Sequence, residues 1–151
     1  MRDRPVRAGV VGVGSMGYHH ARVYRELPDV ELVGVADADA DRAEEVATEY
    51  DTTALSRDRL LDAADVVSVA VPTPYHAEVA EAAIDRGVHL LVEKPFVDRL
   101  EVGRDLVERA EEREVVLQVG HIERFNPAVR TLSDIVPDLD LIAVDANRLG
   151  P

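Results

Sequence analysis

Five times along 151 residues, an apolar run without polar alternation gives way to a stretch of helical periodicity. The runs are VRAGVVGV (6–13), ELVGVAD (31–37), DVVSVAV (65–71), VHLLVE (88–93) and VVLQVG (115–120), and the stretches that follow lie at 15–27, 40–50, 75–87, 98–113 and 126–136. A strand that is apolar on both faces has to be covered on both faces, which a parallel sheet with helices above and below achieves. The expected fold class is therefore α/β, a doubly wound parallel sheet of the Rossmann kind. Gly87, just beyond a helix end carrying Arg86, reads as a C-cap. No solenoid or low-complexity repeat competes with this rhythm.

The first run opens directly into GVGSMG, where Gly12, Gly14 and Gly17 stand at G-x-G-x-x-G spacing and enclose Ser15 and Met16. Gly12 permits a tight turn, Gly14 leaves no Cβ in the path of a pyrophosphate, and Gly17 lets the helix approach the strand. The free amides that open the helix face the phosphates. The pattern alone also fits a tight turn without a ligand, but its position between a strand and a helix favours a dinucleotide site. Asp37 ends the second run, twenty residues beyond Gly17, where a carboxylate accepts hydrogen bonds from the adenosine ribose. A 2′-phosphate would be repelled there, so the expected cofactor is NAD rather than NADP. Asp39 nearby and Arg42, within reach of a phosphate, are the rivals to that reading.

Composition removes other classes of function. Thirty acidic residues against seventeen basic ones give a net charge of −13, spread along the chain. Such a surface repels phosphate backbones and anionic lipid, so neither a nucleic acid nor a membrane is an expected partner. No apolar run approaches the ~20 residues of a membrane span. No export leader is visible, and the expected home is the cytoplasm. Without cysteine there are no disulfides or thiolate metal sites, and no metal is expected. All basic residues but one are arginine, and with abundant Asp this composition resembles that of salt-loving microbes; an ordinary acidic cytosolic protein is the alternative.

The exception is Lys94, inside one of three further segments placed where strands of such a sheet end: VPTPYH (71–76), EKP (93–95) and GHIERFNP (120–127). Taken with GVGSMG, they make the chain resemble the Gfo/Idh/MocA oxidoreductases, which act on sugars, nucleotide sugars and cyclitols with nicotinamide cofactors. The resemblance runs from residue 6 to about 150, the N-terminal half of a usual member. It implies an NAD-binding Rossmann domain over 1–137 and, at 138–151, the start of an α+β substrate domain whose remainder is missing. The alternating run 140–150 is expected to be a half-buried strand of that second domain. These residues would then bind cofactor without completing catalysis, while the longer protein takes a small sugar or nucleotide-sugar substrate and forms a homo-oligomer.

The resemblance also assigns roles. Val71, Pro72 and Thr73 match the loop after the family's fourth strand, which lies along the cofactor, and His76 matches a histidine opening the next helix. Thr73 can donate a hydrogen bond, and His76 can hold or move a proton or else simply tie down the loop. Tyr75 departs from the small or amide residue often found there. Glu93, Lys94 and Pro95 match the EKP motif, whose lysine stands beside the nicotinamide ribose and the reacting hydroxyl, with Pro95 fixing the turn, commonly through a cis bond. Lys94 is the catalytic candidate, because its charge can stabilise a developing alkoxide and tune a neighbouring acid–base group. Arginine is bulkier and does not give up its proton. The alternative is a surface lysine paired with Glu93. GHIERFNPAV resembles a segment of members that oxidise UDP-N-acetylglucosamine at C3. That implies substrate-facing roles for His121, Arg124 and Asn126, Arg124 suiting a diphosphate and Asn126 a sugar hydroxyl or the nicotinamide amide. A segment that only caps the family's sixth strand and docks the next domain is the alternative. An inositol or free sugar is the other substrate expected, and a non-catalytic NAD-binding or regulatory module the other function. His19 and His20, early in the phosphate-facing helix, read as packing and solvent residues, although the family often has a histidine at the latter position.

Overall fold

A computed structural model of the chain describes residues 4–138, 140, 142, 143, 145 and 147. Its sheet contains β1 (Val6–Val11), β2 (Val30–Ala36), β3 (Val66–Val69), β4 (His89–Val92) and β5 (Leu117–Val119), all parallel, in the order β2-β1-β3-β4-β5. The helices are α1 (Ser15–Glu26), α2 (Ala40–Glu49), α3 (Arg57–Ala63), α4 (His76–Asp85), α5 (Leu100–Glu112) and α6 (Pro127–Ile135). Every strand and helix expected from the apolar runs is present, each bound within about two residues of the expected one. The third and fifth runs shorten most, to the four residues of β3 and the three of β5, while the first loses Gly12 and Val13, which leave the sheet to make the turn into α1.

Two features escape the pattern. Ala54 makes a single parallel bridge to Val35 on the outer side of β2, held by Val35 N–H to the Thr53 carbonyl and Leu55 N–H to the Val35 carbonyl, 2.9 Å each. Counted as a vestigial strand, Ala54 turns the order into the 3-2-1-4-5-6 of dinucleotide-binding sheets. The loop 71–76 then follows the fourth position and the segment from Gly120 the sixth. Helix α3 is the crossover between the two halves, capped by the Ser56 hydroxyl, which accepts from the Arg59 amide, and buried through Leu60 and Leu61.

The two faces of the sheet carry separate cores. Val10, Val13, Ala21, Leu32, Val35 and Val46 join α1 and α2 to one face. Leu60, Leu61, Val79, Ala83, Ile84 and Leu106 join α3, α4 and α5 to the other. Gly87, at φ +69°, ends α4 as expected: its N–H donates to the Ile84 carbonyl and that of Val88 to the Ala83 carbonyl. Forked arginines bridge these helices at the surface. Arg86 donates to Asp58 and Asp62 of α3 (3.1 Å each), and Arg109 of α5 pairs with Asp85 (2.9 Å) and Glu81 (3.3 Å) of α4. One guanidinium serves two carboxylates in each case, which a lysine point charge does less well.

Strand register decides what meets at the edge of the sheet. Ala36, Val11, Val69, Val92 and Val119 form one rung across all five strands. The residues that immediately follow are Asp37, Gly12, Ala70, Glu93 and Gly120. The ladder continues through them, with Gly12 N–H donating to Ala36 O, Ala70 N–H to Val11 O, Glu93 N–H to Val69 O and Gly120 N–H to Val92 O, at 2.7 to 2.9 Å. Side chains far apart in sequence thus leave the sheet at one level, at its carboxyl edge.

The chain divides into two compact units, Met1–Gly120 and His121–Pro151. The break falls upstream of the boundary at 137 that the family resemblance implies. The expected strand at 140–150 lies largely outside the described residues. No described helix is long and apolar enough to cross a membrane.

Candidate cofactor site

The glycine turn is built from backbone contacts that leave no room for a side chain at Gly12 or Gly17. Gly12 sits at φ +88°, and a Cβ there would come within 2.6 Å of the Val71 nitrogen and 2.7 Å of the Ala70 carbonyl carbon. Gly17 is buried in the first turn of α1 and lies directly against the Gly12 carbonyl. Gly14 differs from both: it is exposed, opens α1 as its N-cap, and a Cβ on it would meet nothing within 4 Å. Gly12 and Gly17 are therefore explained by packing within the fold, whereas Gly14 is not. Ser15 and Met16 are exposed beside it.

Asp37 is tied into this turn. One carboxylate oxygen accepts from the Val13 amide at 2.7 Å, the other from the Asp39 amide at 2.9 Å. Carboxylate oxygens carry two acceptor positions each, so both keep capacity for hydroxyl donors. The rivals are otherwise engaged. Asp39 is the N-cap of α2, accepting from the amides of Asp41 (3.1 Å) and Arg42 (3.2 Å). Arg42 donates to the Val13 carbonyl at 3.0 Å and to Glu45 at 2.6 Å, with its guanidinium 5.6 Å from the centre of the Tyr18 ring. Tyr18 in turn donates to Glu49 at 2.5 Å, which pushes its phenol well above the usual range.

Beyond β3, Val71 and Thr73 are half-buried and Pro72 exposed, Thr73 opening a 3₁₀ turn that runs into α4. His76 is 1% exposed, and both of its ring nitrogens face carbonyl oxygens: Nε2 that of Val71 at 2.8 Å, Nδ1 those of Pro95 and Phe96 at 3.1 Å each. The geometry is that of a tie between two loops. Tyr75, 57% exposed, leaves that tie undisturbed.

The Lys94–Pro95 bond is cis. Lys94 is exposed, and its ammonium forms no hydrogen bond or ion pair with a described residue. The expected alternative, a pair with Glu93, is not formed. Glu93 is 7% exposed and turned inward, one oxygen facing His20 Nε2 at 2.9 Å and the other accepting the Lys94 amide at 3.2 Å. A Cβ on Gly120 would stand 3.2 Å from that carboxylate, so a glycine here keeps space for it.

His20 was not legible as a site residue. Its Nδ1 faces Ser68 Oγ at 3.1 Å, and Ser68 Oγ lies 2.8 Å from the Tyr24 hydroxyl. Burial pushes the Tyr24 phenol up, an effect the Ser68 hydroxyl partly offsets. The signal that finds this network is helical spacing: 17, 20, 21 and 24 form one stripe of α1, which faces the sheet.

His121, Arg124 and Asn126 belong to the other compact unit and are exposed. His121 precedes a 3₁₀ turn at Ile122–Phe125. Asn126 caps α6, its carbonyl oxygen accepting from the Ala128 amide and its amide donating to Glu123, at 3.0 Å each. Among the described residues no group of three or more His, Cys, Asp or Glu could hold a metal ion.

A glycine turn open at Gly14, backed by an acidic residue at the end of the second strand, defines a dinucleotide-binding domain of the Rossmann class. Residues 6–121 match the sequence profile GFO_IDH_MocA, an oxidoreductase family with an NAD-binding Rossmann fold. The chain belongs to this family. It is 45% identical over 128 residues to the UDP-N-acetylglucosamine 3-dehydrogenase of Acidithiobacillus ferrooxidans, covering 84% of this chain and 40% of the relative. The solved structure of that enzyme superposes with a TM-score of 0.82 at 44% identity, over 86% of this chain and 43% of the other. The scyllo-inositol 2-dehydrogenase (NAD(+)) of Bacillus subtilis is 35% identical over 131 residues, 83% of this chain and 38% of the relative. GenD2 from gentamicin A biosynthesis, solved in complex with NAD, superposes with a TM-score of 0.85 at 33% identity, over 89% of this chain and 40% of the other. The chain thus spans about two fifths of the length of these relatives.

Proposed function

We propose that this chain is the cofactor half of an NAD-dependent dehydrogenase that oxidises a hydroxyl of a nucleotide sugar, with UDP-N-acetylglucosamine the first candidate and an inositol or free sugar the second. The observation that carries the reading is Lys94: a free ammonium on the cis turn at the carboxyl edge, its neighbouring carboxylate turned away from it. A module that only bound cofactor would have no use for such a group.

The cradle suits NAD because the space over Gly14 is open where a Cβ would stand, next to the amides that begin α1. Gly12, Gly14, Ser15, Met16 and Gly17 would hold the pyrophosphate, Asp37 the adenosine ribose, and Val71, Pro72 and Thr73 the length of the cofactor, with His76 tying their loop to the turn of Glu93, Lys94 and Pro95. NAD, when bound, supplies the hydride acceptor. The chain's own contribution is charge: as the hydroxyl proton passes to a base that the rest of the longer protein would supply, the Lys94 ammonium stabilises the alkoxide left on the sugar oxygen. His121, Arg124 and Asn126 are proposed to face the substrate, Arg124 toward a diphosphate. Residues 1–137 would form the cofactor domain of a longer, homo-oligomeric cytoplasmic enzyme, and its Arg-rich, acidic surface would suit a saline interior.

The test is a chimera that joins residues 1–120 to the remainder of the Acidithiobacillus enzyme. It should reduce NAD with UDP-N-acetylglucosamine and lose that activity on Lys94→Met while still binding NADH. A chimera that binds NADH but oxidises no nucleotide sugar, inositol or free sugar would instead favour a non-catalytic NAD-binding module.

A further inference from the structure

We infer that His20 is a positioning residue: by clamping the Glu93 carboxylate inward, it holds the Lys94 turn in place and keeps the Lys94 ammonium free for substrate. The second half of this inference rests on the proposed role of Lys94; the clamp itself does not.

Four side chains carry it. Tyr24 and His20 come from one face of α1, Ser68 is wholly buried in β3, and Glu93 follows the last residue of β4. With His20 donating from Nε2 to the Glu93 carboxylate and accepting at Nδ1, only one direction of donation satisfies all of them. The Tyr24 hydroxyl donates to Ser68, Ser68 donates to His20 Nδ1, and His20 Nε2–H donates to Glu93. Reversing any link would aim two lone pairs at one another. The second Glu93 oxygen takes the Lys94 amide. The carboxylate therefore reaches backward to the helix and forward to the turn, with one bond at each oxygen fixing the direction in which it points.

A neighbour without such a clamp would behave differently. Glu93 adjoins the only lysine of the chain, and a carboxylate free to turn toward that ammonium would lie within reach of pairing with it. In that state the cation would be neutralised where an alkoxide has to be stabilised. The clamp prevents this by holding Glu93 toward the helix, away from the exposed Lys94 side chain, in a space that Gly120 keeps open. Hydrogen bonds to an ionised group are among the stronger ones, which suits a device that must outcompete an adjacent ammonium.

Because Lys94 is the sole lysine, the 151-residue protein labelled with 15N-lysine gives a single backbone amide line, and that amide is the one bonded to Glu93. The experiment compares wild type, His20→Phe and His20→Gln by this line and its hydrogen exchange, with a thermal melt to establish folding, each with and without NADH. His20→Phe removes the donor but keeps a flat ring; His20→Gln restores an N–H donor. The expected result is that the line moves in His20→Phe and its exchange quickens about tenfold, the loss of one bond to a charged acceptor, while His20→Gln returns both toward wild type. A folded His20→Phe protein whose Lys94 line and exchange match wild type would overturn the inference, as would a His20→Gln variant that deviates as far as His20→Phe. If neither variant folds, the same line in Ser68→Ala, which removes the hydroxyl that fixes the His20 tautomer, decides: a changed exchange rate supports the clamp and an unchanged one overturns it. NADH speaks to the other reading. A wild-type line that ignores NADH would tell against a cofactor site at Lys94 whatever the variants do.

Discussion

Gly14 and Gly17 belong to one motif yet answer to different forces, and single substitutions separate them. A methyl group on Gly17 would collide with the Gly12 carbonyl, a backbone atom that cannot give way without opening the turn. Gly17→Ala should destabilise the protein by about 1–3 kcal/mol, as overpacking of a close contact does. The same methyl on Gly14 enters open space, so Gly14→Ala should leave the unfolding free energy from urea denaturation within about 0.5 kcal/mol of wild type and still weaken NADH about tenfold, a loss of about 1.4 kcal/mol. Equal losses of stability in the two variants would contradict this division. The distinction could not be read from the motif, in which the glycines look alike, because it depends on what stands 3 Å away. His20 makes the same point from the other side. The residue was visible and its helical face could be computed, but the partners that make it part of the site lie 48 and 73 positions further along.

The strands were legible because each is apolar on both sides, and the helices that follow them because their polar faces recur every third or fourth residue. Helix α3 was not, since seven residues with only Leu60 and Leu61 buried leave too short a period to register. The vestigial strand at Ala54 is a single bridge and has no period at all. Both lie in the crossover between the two halves of the sheet, where tertiary contacts rather than local pattern fix the chain. The energetic weight of α3 nevertheless rests on its apolar side. Leu60→Ala should cost about 2–5 kcal/mol through the cavity it leaves. Arg86→Ala, which removes the surface bridges from α4 to α3, should cost no more than about 1 kcal/mol. Chemical denaturation of both variants checks the order, and a larger loss for Arg86→Ala would mean that the ion pairs, not the leucines, hold this helix.

Charge acts on the whole protein in two ways that pH and salt distinguish. With a net charge of −13 the compact state repels itself, so the melting temperature should climb as KCl is raised toward molar concentration and the repulsion is screened. A flat response would mean that the carboxylates are already compensated. Asp65 works locally. Its carboxyl is held well below the usual range, first by the Arg7 guanidinium at 2.8 Å and then by the Arg7 amide at 3.0 Å. A carboxylate whose folded pKa is depressed contributes stability that is fully present above the ordinary value of 3.8 and drains away as pH falls below it. Wild type should therefore outlast Asp65→Asn in thermal melts near neutrality, with the gap closing as pH drops through the acid range.

The five segments that leave the sheet together give the molecule its purpose only if a dinucleotide lies across them. The most direct measurement is a calorimetric titration of the 151-residue protein with NADH and with NADPH in molar KCl, repeated on Asp37→Ala. Wild type should bind NADH in preference to NADPH, and Asp37→Ala should narrow that preference. A folded protein that takes up neither dinucleotide, or one that prefers NADPH with Asp37 in place, would contradict the account.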